Sequence, residues 1–144
     1  MGVVAALVRT AFLVDGVYAE AGRAYGLTPQ QGQLLCVLLP HPYGMSELGE
    51  TLGLAKSSLT GLVDRTVRRG LVRREADPRD GRAVRVGLTD EGAALAGKFH
   101  AEACRRMEAL PSGLSGAERD RLAALLSRVV VDNAVPEVFG TSPT

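Results

Sequence analysis

The residues of this chain best suited to chemistry are arginines on a short polar loop. Residues 77–82 hold a proline and a glycine at turn positions, together with Arg79 and Arg82. Arg85 follows in an alternating, strand-like segment. Because a loop this short has no interior, the guanidinium groups remain in solvent with their donors directed outward. The chemistry that they favour is binding to phosphate and to the negative potential of a nucleic-acid groove.

Positive charge is concentrated around this loop. The chain of 144 residues has a formal net charge of only +1, yet residues 56–85 carry nine cationic and four anionic side chains. That segment therefore has a net charge of +5, and the rest of the chain has a net charge of −4. A basic face on an acidic body is typical of a protein that binds a polyanion, whereas scattered charges would indicate an ordinary solvated surface.

The segment directly before the loop has the pattern of two short helices separated by a glycine. Residues 46–52 form the first helix, Gly53 ends it, and the second helix begins at Lys56. In the second helix apolar residues recur at helical spacing, which indicates a face packed on a core, and the opposite face is polar and cationic. Gly70 is placed to stop it. A helix-turn-helix followed by an arginine-tipped hairpin predicts a winged helix that binds DNA.

Signals in the remaining sequence complete the predicted order of elements. Apolar periodicity and threonine, serine and proline caps predict further helices over residues 3–25, 28–39 and 89–110 and from residue 115 onward. Residues 71–75 and 83–88 alternate as strands, and residues 40–44 are interpreted as a short connection. The predicted fold class is mainly α with a small β-hairpin wing. It is a winged helix-turn-helix domain plus N- and C-terminal dimerisation helices.

Apolar stripes on the helices at both ends of the chain predict a dimer. The first helix carries Val4, Leu7, Val8, Ala11 and Phe12 at helical spacing, and the last carries Leu122, Leu125, Leu126, Val129 and Val130. A small domain cannot bury all of these side chains in one core, so pairing with a second subunit is the economical arrangement. A two-fold dimer also suits palindromic DNA. The alternative is a monomer whose terminal helices fold back onto the domain.

Taken together, these motifs resemble the MarR-type winged-helix transcriptional regulators. The resemblance covers most of the chain with its spacings intact, through residues 27–30, 48–52, 57–65, 69–74, 77–82 and 88–92. It implies a single MarR-type domain over residues 1–144, with a DNA-binding lobe at 28–88, dimerisation helices at 3–25 and 89–135, and a tail at 136–144. It also implies a homodimer on a pseudo-palindromic operator, usually a repressor released by a small phenolic or acidic ligand or by oxidation.

The expected DNA contacts divide between the second helix of the helix-turn-helix and the arginine loop. Small polar side chains let that helix approach the floor of the major groove, and two arginines one turn apart suit the phosphates of its walls. Arg82 is the first choice for insertion into the minor groove, and Arg79 is the second. Either serine could instead cap the helix. The expected DNA-binding residues are Lys56, Ser57, Ser58, Thr60, Gly61, Arg65, Arg68, Arg79 and Arg82.

Two acidic residues in this region are expected to organise arginines, since a carboxylate that faced DNA would repel phosphate. Asp64 is expected to orient Arg65 or a wing arginine. Asp77 is expected to pair with one of the loop arginines and to fix the loop.

An effector pocket is expected where the first, second and fifth helices meet the DNA-binding lobe. Its candidate lining residues are Tyr18, Arg23, Tyr25 and His41. Arg23 could hold the carboxylate of a small anionic or phenolic effector through a bidentate pair, or it could form a salt bridge at the surface or the dimer interface.

The two cysteines suggest an alternative, a regulator that senses oxidation through Cys104 or Cys36. Cys36 lies in an apolar run and is expected to be a small buried residue. Cys104 precedes two arginines, which is the better setting for a reactive thiolate.

Several function classes find no support in the sequence. No nucleophile–base motif, phosphate loop or carboxylate pair indicates an enzyme, and the histidines and cysteines lack metal-ligand spacing, so no metal or cofactor is expected. No apolar run could span a membrane and no secretion signal is evident, so the cytoplasm is the expected location. The alternative from another class is a winged-helix protein-interaction module without a DNA role, which would need apolar anchors at its loop tip.

Overall fold

Helices and a small sheet make up the computed structural model, which describes residues 1–135. The elements of this part are α1 (Val3–Tyr25), α2 (Pro29–Leu38), β1 (Tyr43–Gly44), α3 (Met45–Leu52), α4 (Lys56–Arg68), β2 (Val72–Ala76), β3 (Val84–Leu88), α5 (Asp90–Ala109) and α6 (Gly116–Asp132). This mainly α winged helix-turn-helix confirms the predicted fold class. The tail expected at 136–144 lies outside the described residues.

Helix caps lie at the predicted positions. Thr28 accepts a hydrogen bond from the backbone N of Gln31, and the Gln31 side chain accepts one from the backbone N of Thr28. Ser115 and Glu118 form the same reciprocal box at α6, and Thr89 accepts a hydrogen bond from the first turn of α5. These bonds satisfy backbone donors that the first turn of a helix leaves unpaired. Each helix begins within one residue of its predicted start.

The sheet contains a strand that was not predicted. β1 pairs antiparallel with β3, with Tyr43 opposite Val86 and Gly44 opposite Arg85, and the order across the sheet is β1-β3-β2. The interpretation of residues 40–44 as a plain connection was therefore wrong. A strand of two residues has no alternation to detect, and its partner lies far along the chain.

The core that supports the helix-turn-helix lies where α1, α2 and α5 meet. Phe99 of α5 is fully buried and stacks on Tyr18 of α1, with 6.2 Å between ring centroids. Gly32 of α2 makes room for this ring, because a Cβ at that position would overlap it. Buried side chains of α4, among them Leu62 and Val63, belong to the same cluster. The helix-turn-helix is thus held on a continuous core.

Gly92→Ala is expected to destabilise the fold by about 2–3 kcal/mol. Gly92 is buried in the first turn of α5, and a Cβ there would overlap the backbone carbonyl of Leu71, which directly precedes β2. Gly97→Ala, in the same helix but with open space around the added Cβ, is the matched control. It should be neutral or stabilise by up to about 1 kcal/mol. Urea denaturation measures both variants, and equal stability of the two would contradict this description of the packing.

Apolar side chains along α1 and α6 are uncovered in the single chain. No residue of α6 is buried, and its Leu122, Leu125, Leu126, Val129 and Val130 are exposed, as are Val4, Leu7, Val8 and Phe12 of α1. The stripes predicted from the sequence are therefore present and exposed.

No helix within residues 1–135 combines the length and the apolar character needed to cross a membrane.

Candidate nucleic-acid interface

Helix α4 has one face in the core and one in solvent, as its sequence pattern predicted. Leu59, Leu62, Val63 and Thr66 are buried, and Gly61 is half-buried. The exposed face carries most of the expected DNA contacts, namely Lys56, Ser57, Ser58, Thr60, Arg65 and Arg68. The structure thus brings these six side chains together on one solvent-facing surface.

The turn before α4 sets the direction of this helix. Gly53 has a φ of +66°, a left-handed conformation that side chains disfavour, and it ends α3. The backbone N of Leu54 donates to the carbonyl of Gly49 across this turn, with 3.0 Å between the atoms. The chain therefore reverses over a few residues and enters α4 at Lys56.

The hydroxyl groups at the start of α4 differ in what they can offer to DNA. The N-cap residue is Ala55, which has no side-chain hydrogen bond, so neither Ser57 nor Ser58 caps the helix. Thr60 donates its hydroxyl proton to the carbonyl of Lys56 at 2.8 Å, so this hydroxyl can only accept from a ligand. The hydroxyl groups of Ser57 and Ser58 can both donate and accept a hydrogen bond.

An ion pair joins α4 to the wing, the hairpin of β2 and β3 with its connecting loop. Arg74 of β2 donates through Nη2 to Oδ1 of Asp64 at 2.6 Å. This confirms the expectation that Asp64 orients a wing arginine. Because the carboxylate is occupied by Arg74, its repulsion of phosphate is reduced.

A second set of ion pairs fixes the strands of the wing. Glu75 accepts from Nε of Arg85 at 2.7 Å and from Nε of Arg73 at 3.2 Å. Partial burial acts to raise the pKa of Glu75, but the hydrogen bonds from Arg73 and Arg85 outweigh it and hold that pKa below its ordinary value. Sequence reasoning missed this cluster, although Glu75 and Arg85 are direct partners across the hairpin.

The wing loop is held by carboxylates bonded to its own backbone. Asp77 accepts from the backbone N of Arg79 at 2.8 Å, and Asp80 accepts from the backbone N of Arg82 at 3.1 Å. The expectation that Asp77 fixes the loop was correct, but the bond is to the arginine backbone and not to a guanidinium group. Among residues 1–135, neither Arg79 nor Arg82 takes part in an ion pair, and both are exposed. Their charges are therefore available at the tip.

The residues expected to line an effector pocket lie in different settings. Tyr18 is buried in the core, Tyr25 is half-buried and Arg23 is exposed. His41 is exposed, stacks on Tyr43 at 4.6 Å between centroids, and lines a hollow of about 400 Å³ beside the wing. The described lining of that hollow includes none of the other three, and the pocket remains a prediction.

The environments of both thiols favour their protonated form. Cys36 is buried, and burial raises the pKa of its thiol to about 12. Cys104 is half-buried on α5 with its Sγ 3.4 Å from Nε2 of His100, and burial, with a smaller contribution from Glu108, raises its pKa as well. The two arginines after Cys104 donate to Glu102. Burial thus disfavours a thiolate at both positions, and redox sensing remains a prediction.

Comparisons with known proteins agree with this geometry. A sequence model of the MarR family matches residues 25–83. Over 133 residues, 90% of this chain and 80% of the relative, the chain is 31% identical to the helix-turn-helix transcriptional regulator PecS of Dickeya dadantii.

The chain belongs to the MarR family. Apo MarR of E. coli superposes with a TM-score of 0.78 at 26% identity, over 90% of this chain and 98% of that one. The repressor CouR bound to a 23-mer DNA duplex superposes with a TM-score of 0.77 at 27% identity, over 90% and 92% of the two chains. CouR of Rhodococcus jostii RHA1 is also known bound to p-coumaroyl-CoA, with a TM-score of 0.75 at 26% identity over 85% and 87%. This MarR-family chain therefore has helix-turn-helix transcriptional regulators as its relatives.

Proposed function

We propose that this protein is a homodimeric repressor that binds a pseudo-palindromic DNA operator through α4 and the wing. The observation that carries the proposal is the availability of Arg79 and Arg82. The wing strands pair their other arginines with Glu75 and Asp64, whereas the loop carboxylates bond to backbone. The wing is thus a hairpin held by its own ion pairs, and it presents two guanidinium groups that join no ion pair within residues 1–135.

In this proposal α4 lies in the major groove. Ser57 and Ser58 reach base edges or phosphates as donors or acceptors, and Thr60 contacts a base as an acceptor or through its methyl group. Gly61 permits close approach, and the nearest atom to a Cβ placed there would be the Arg65 guanidinium. Lys56, Arg65 and Arg68 neutralise phosphates along the groove walls.

The wing then reaches the adjacent minor groove. Arg82 enters it and Arg79 supports it, since a narrow A·T-rich groove has the strongest negative potential. The Asp80–Arg82 bond holds the backbone at the base of this side chain, so the loop backbone is already ordered when the guanidinium group is inserted.

The dimer is built by the helices at the ends of the chain, α1 with α5 and α6. Monomeric proteins rarely leave a contiguous apolar stripe exposed to water, and a second copy provides a matching surface that covers it. The DNA-binding lobe is then residues 28–88, and two such lobes would meet half-sites on one face of the DNA.

A small anionic or phenolic effector is proposed to release the DNA, as CouR bound to p-coumaroyl-CoA shows that a relative of this fold holds an aromatic acyl ligand. Tyr18, Arg23, Tyr25 and His41 are the candidate contacts. Such a regulator would act in the cytoplasm, where its DNA is.

The proposal is tested by a gel shift with the intergenic DNA beside its own gene, repeated at two salt concentrations. Specific binding that weakens as salt increases is expected, because phosphate contacts release counterions. A winged-helix module that docks proteins would give no shift at either salt concentration, which would refute the DNA-binding proposal.

Arg68→Ala is expected to weaken binding to every DNA sequence by a similar factor. Arg68 is exposed in the last turn of α4 and forms no ion pair within residues 1–135, which suits a phosphate contact. Its loss should reduce the magnitude of the slope of log K against log[salt] by about 0.9. Fluorescence anisotropy over a series of salt concentrations measures this slope. A change in preference at one operator base pair would instead assign Arg68 to base recognition.

A further inference from the structure

The arginine next to Arg68 has a different environment. Arg69 follows α4, and its Nη1 donates to the carbonyl of Gly26 at 2.6 Å and to Oε1 of Gln31 at 3.0 Å. Both acceptors lie more than thirty residues earlier in the chain, at the corner between α1 and α2. Arg69 is exposed, but its guanidinium group is bonded to acceptors of the protein itself.

The two acceptors at this corner are themselves held in place. Gln31 is buried, and the same Oε1 accepts from the backbone N of Thr28 in the capping box of α2. Gly26 has a φ of +66° and caps α1, and the next residue, Leu27, donates to the carbonyl of Gly22 at 2.8 Å. Arg69 thus binds a rigid corner.

The other side of the same turn is fastened to α5. Gly70 has a φ of +74°, and its carbonyl accepts from the hydroxyl of Thr89 at 2.6 Å. The backbone N of Thr89 donates to the carbonyl of Leu71 at 3.1 Å. Residues 69–71 therefore connect the end of α4 to the α1–α2 corner on one side and to the start of α5 on the other.

We propose that Arg69 is a positioning residue for DNA recognition: it ties the C-terminal end of α4 to the α1–α2 corner and makes no contact with phosphate. This inference rests on the proposed function. A contact that fixes the end of α4 restricts the orientations that this helix can sample, so less binding free energy is lost in ordering the helix on DNA. Through the bonds of Arg69, a displacement of the α1–α2 corner would also move the end of α4.

The test compares Arg69→Ala with Arg68→Ala, two adjacent variants that lose the same charge. Anisotropy titrations against the same operator duplex are made across a range of salt concentrations, with concentrations corrected for the folded fraction. For Arg69→Ala we expect about tenfold weaker binding with an unchanged salt slope, because the variant loses the charge-assisted bonds to Gly26 and Gln31 and no phosphate contact. Arg68→Ala should reduce the slope by about 0.9.

Two further measurements separate positioning from a general loss of structure. Amide hydrogen exchange of the DNA-free protein should become faster at residues 69–71 in Arg69→Ala and remain unchanged there in Arg68→Ala. Arg69→Ala and Gln31→Leu should have less than additive effects on DNA affinity, since both remove the same contact.

The outcomes are distinct. A salt slope that falls by about 0.9 in Arg69→Ala would make Arg69 a phosphate contact and overturn the inference. Unchanged affinity per folded dimer, or unchanged exchange at residues 69–71, would overturn it as well. Failure of the unaltered protein to bind any DNA would refute the proposed function, and the exchange measurement would still report whether Arg69 holds the end of α4.

Discussion

Leu125→Glu is expected to convert the protein to a monomer in solution and to weaken operator binding at least about a hundredfold. Leu125 lies in the middle of the exposed apolar stripe of α6 and is 48% exposed in the single chain. If a second copy covers this stripe, the variant buries an unpaired carboxylate in the interface, which costs several kcal/mol. Loss of the dimer lowers the operator affinity as well, because two linked lobes bind their half-sites far more tightly than separate ones. Sedimentation equilibrium and anisotropy give the two quantities.

Ala124→Glu is the matched control for this variant. Ala124 adjoins Leu125 but points to the opposite side of α6, away from the apolar stripe, and it is exposed. The control adds the same charge to the same turn and should leave both the dimer and its operator affinity essentially intact. A dimer that persists in Leu125→Glu would show that α6 does not form the interface.

Arg82→Ala is expected to weaken binding to the operator about thirtyfold, with little effect on binding to unrelated DNA beyond the loss of one charge. The guanidinium group of Arg82 is exposed at the wing tip, and only the backbone of this residue is held, by Asp80. A groove contact of this kind contributes about 2 kcal/mol of discrimination. Competition titrations with operator and scrambled duplexes measure the ratio of the two affinities.

The control for this prediction is Arg85→Ala, which removes the same charge from the same hairpin. Arg85 donates to Glu75 at 2.7 Å, so its guanidinium group is already occupied within the wing. Its removal should lower the affinity for both duplexes slightly and by a similar factor. If Arg85→Ala reduced specificity as much as Arg82→Ala, the assignment of the minor-groove contact to Arg82 would be wrong.

Local signals in the sequence predicted most of this fold. Helix starts follow from side chains that bond to the backbone three residues away, such as Thr28 and Ser115. Because these bonds are local, they can be predicted from the sequence alone. The face that α4 buries follows from the period of its apolar residues. The strand β1 escaped prediction because it exists only through pairing with a distant segment.

The different bonding partners of the arginines could not be predicted from composition. The basic segment looks uniform in sequence, yet Arg73, Arg74 and Arg85 pair with acidic side chains and Arg69 bonds to the α1–α2 corner. Three of these four arginines bond to a different element of the fold, so only the three-dimensional arrangement assigns their partners. The effector pocket stays a prediction, because a cavity depends on how whole helices diverge and not on any local pattern.

Dimethyl sulfate protection on the bound operator tests most directly whether α4 lies in the major groove while Arg82 occupies the minor groove. The reagent methylates guanine N7 in the major groove and adenine N3 in the minor groove, so one titration reports on both. We expect protection of guanine N7 in two half-sites about one or two helical turns apart, and of adenine N3 beside them. Arg82→Ala should lose only the adenine N3 protection. Adenine N3 protection that persists in Arg82→Ala, or guanine N7 that stays reactive in the complex, would contradict this account of DNA recognition.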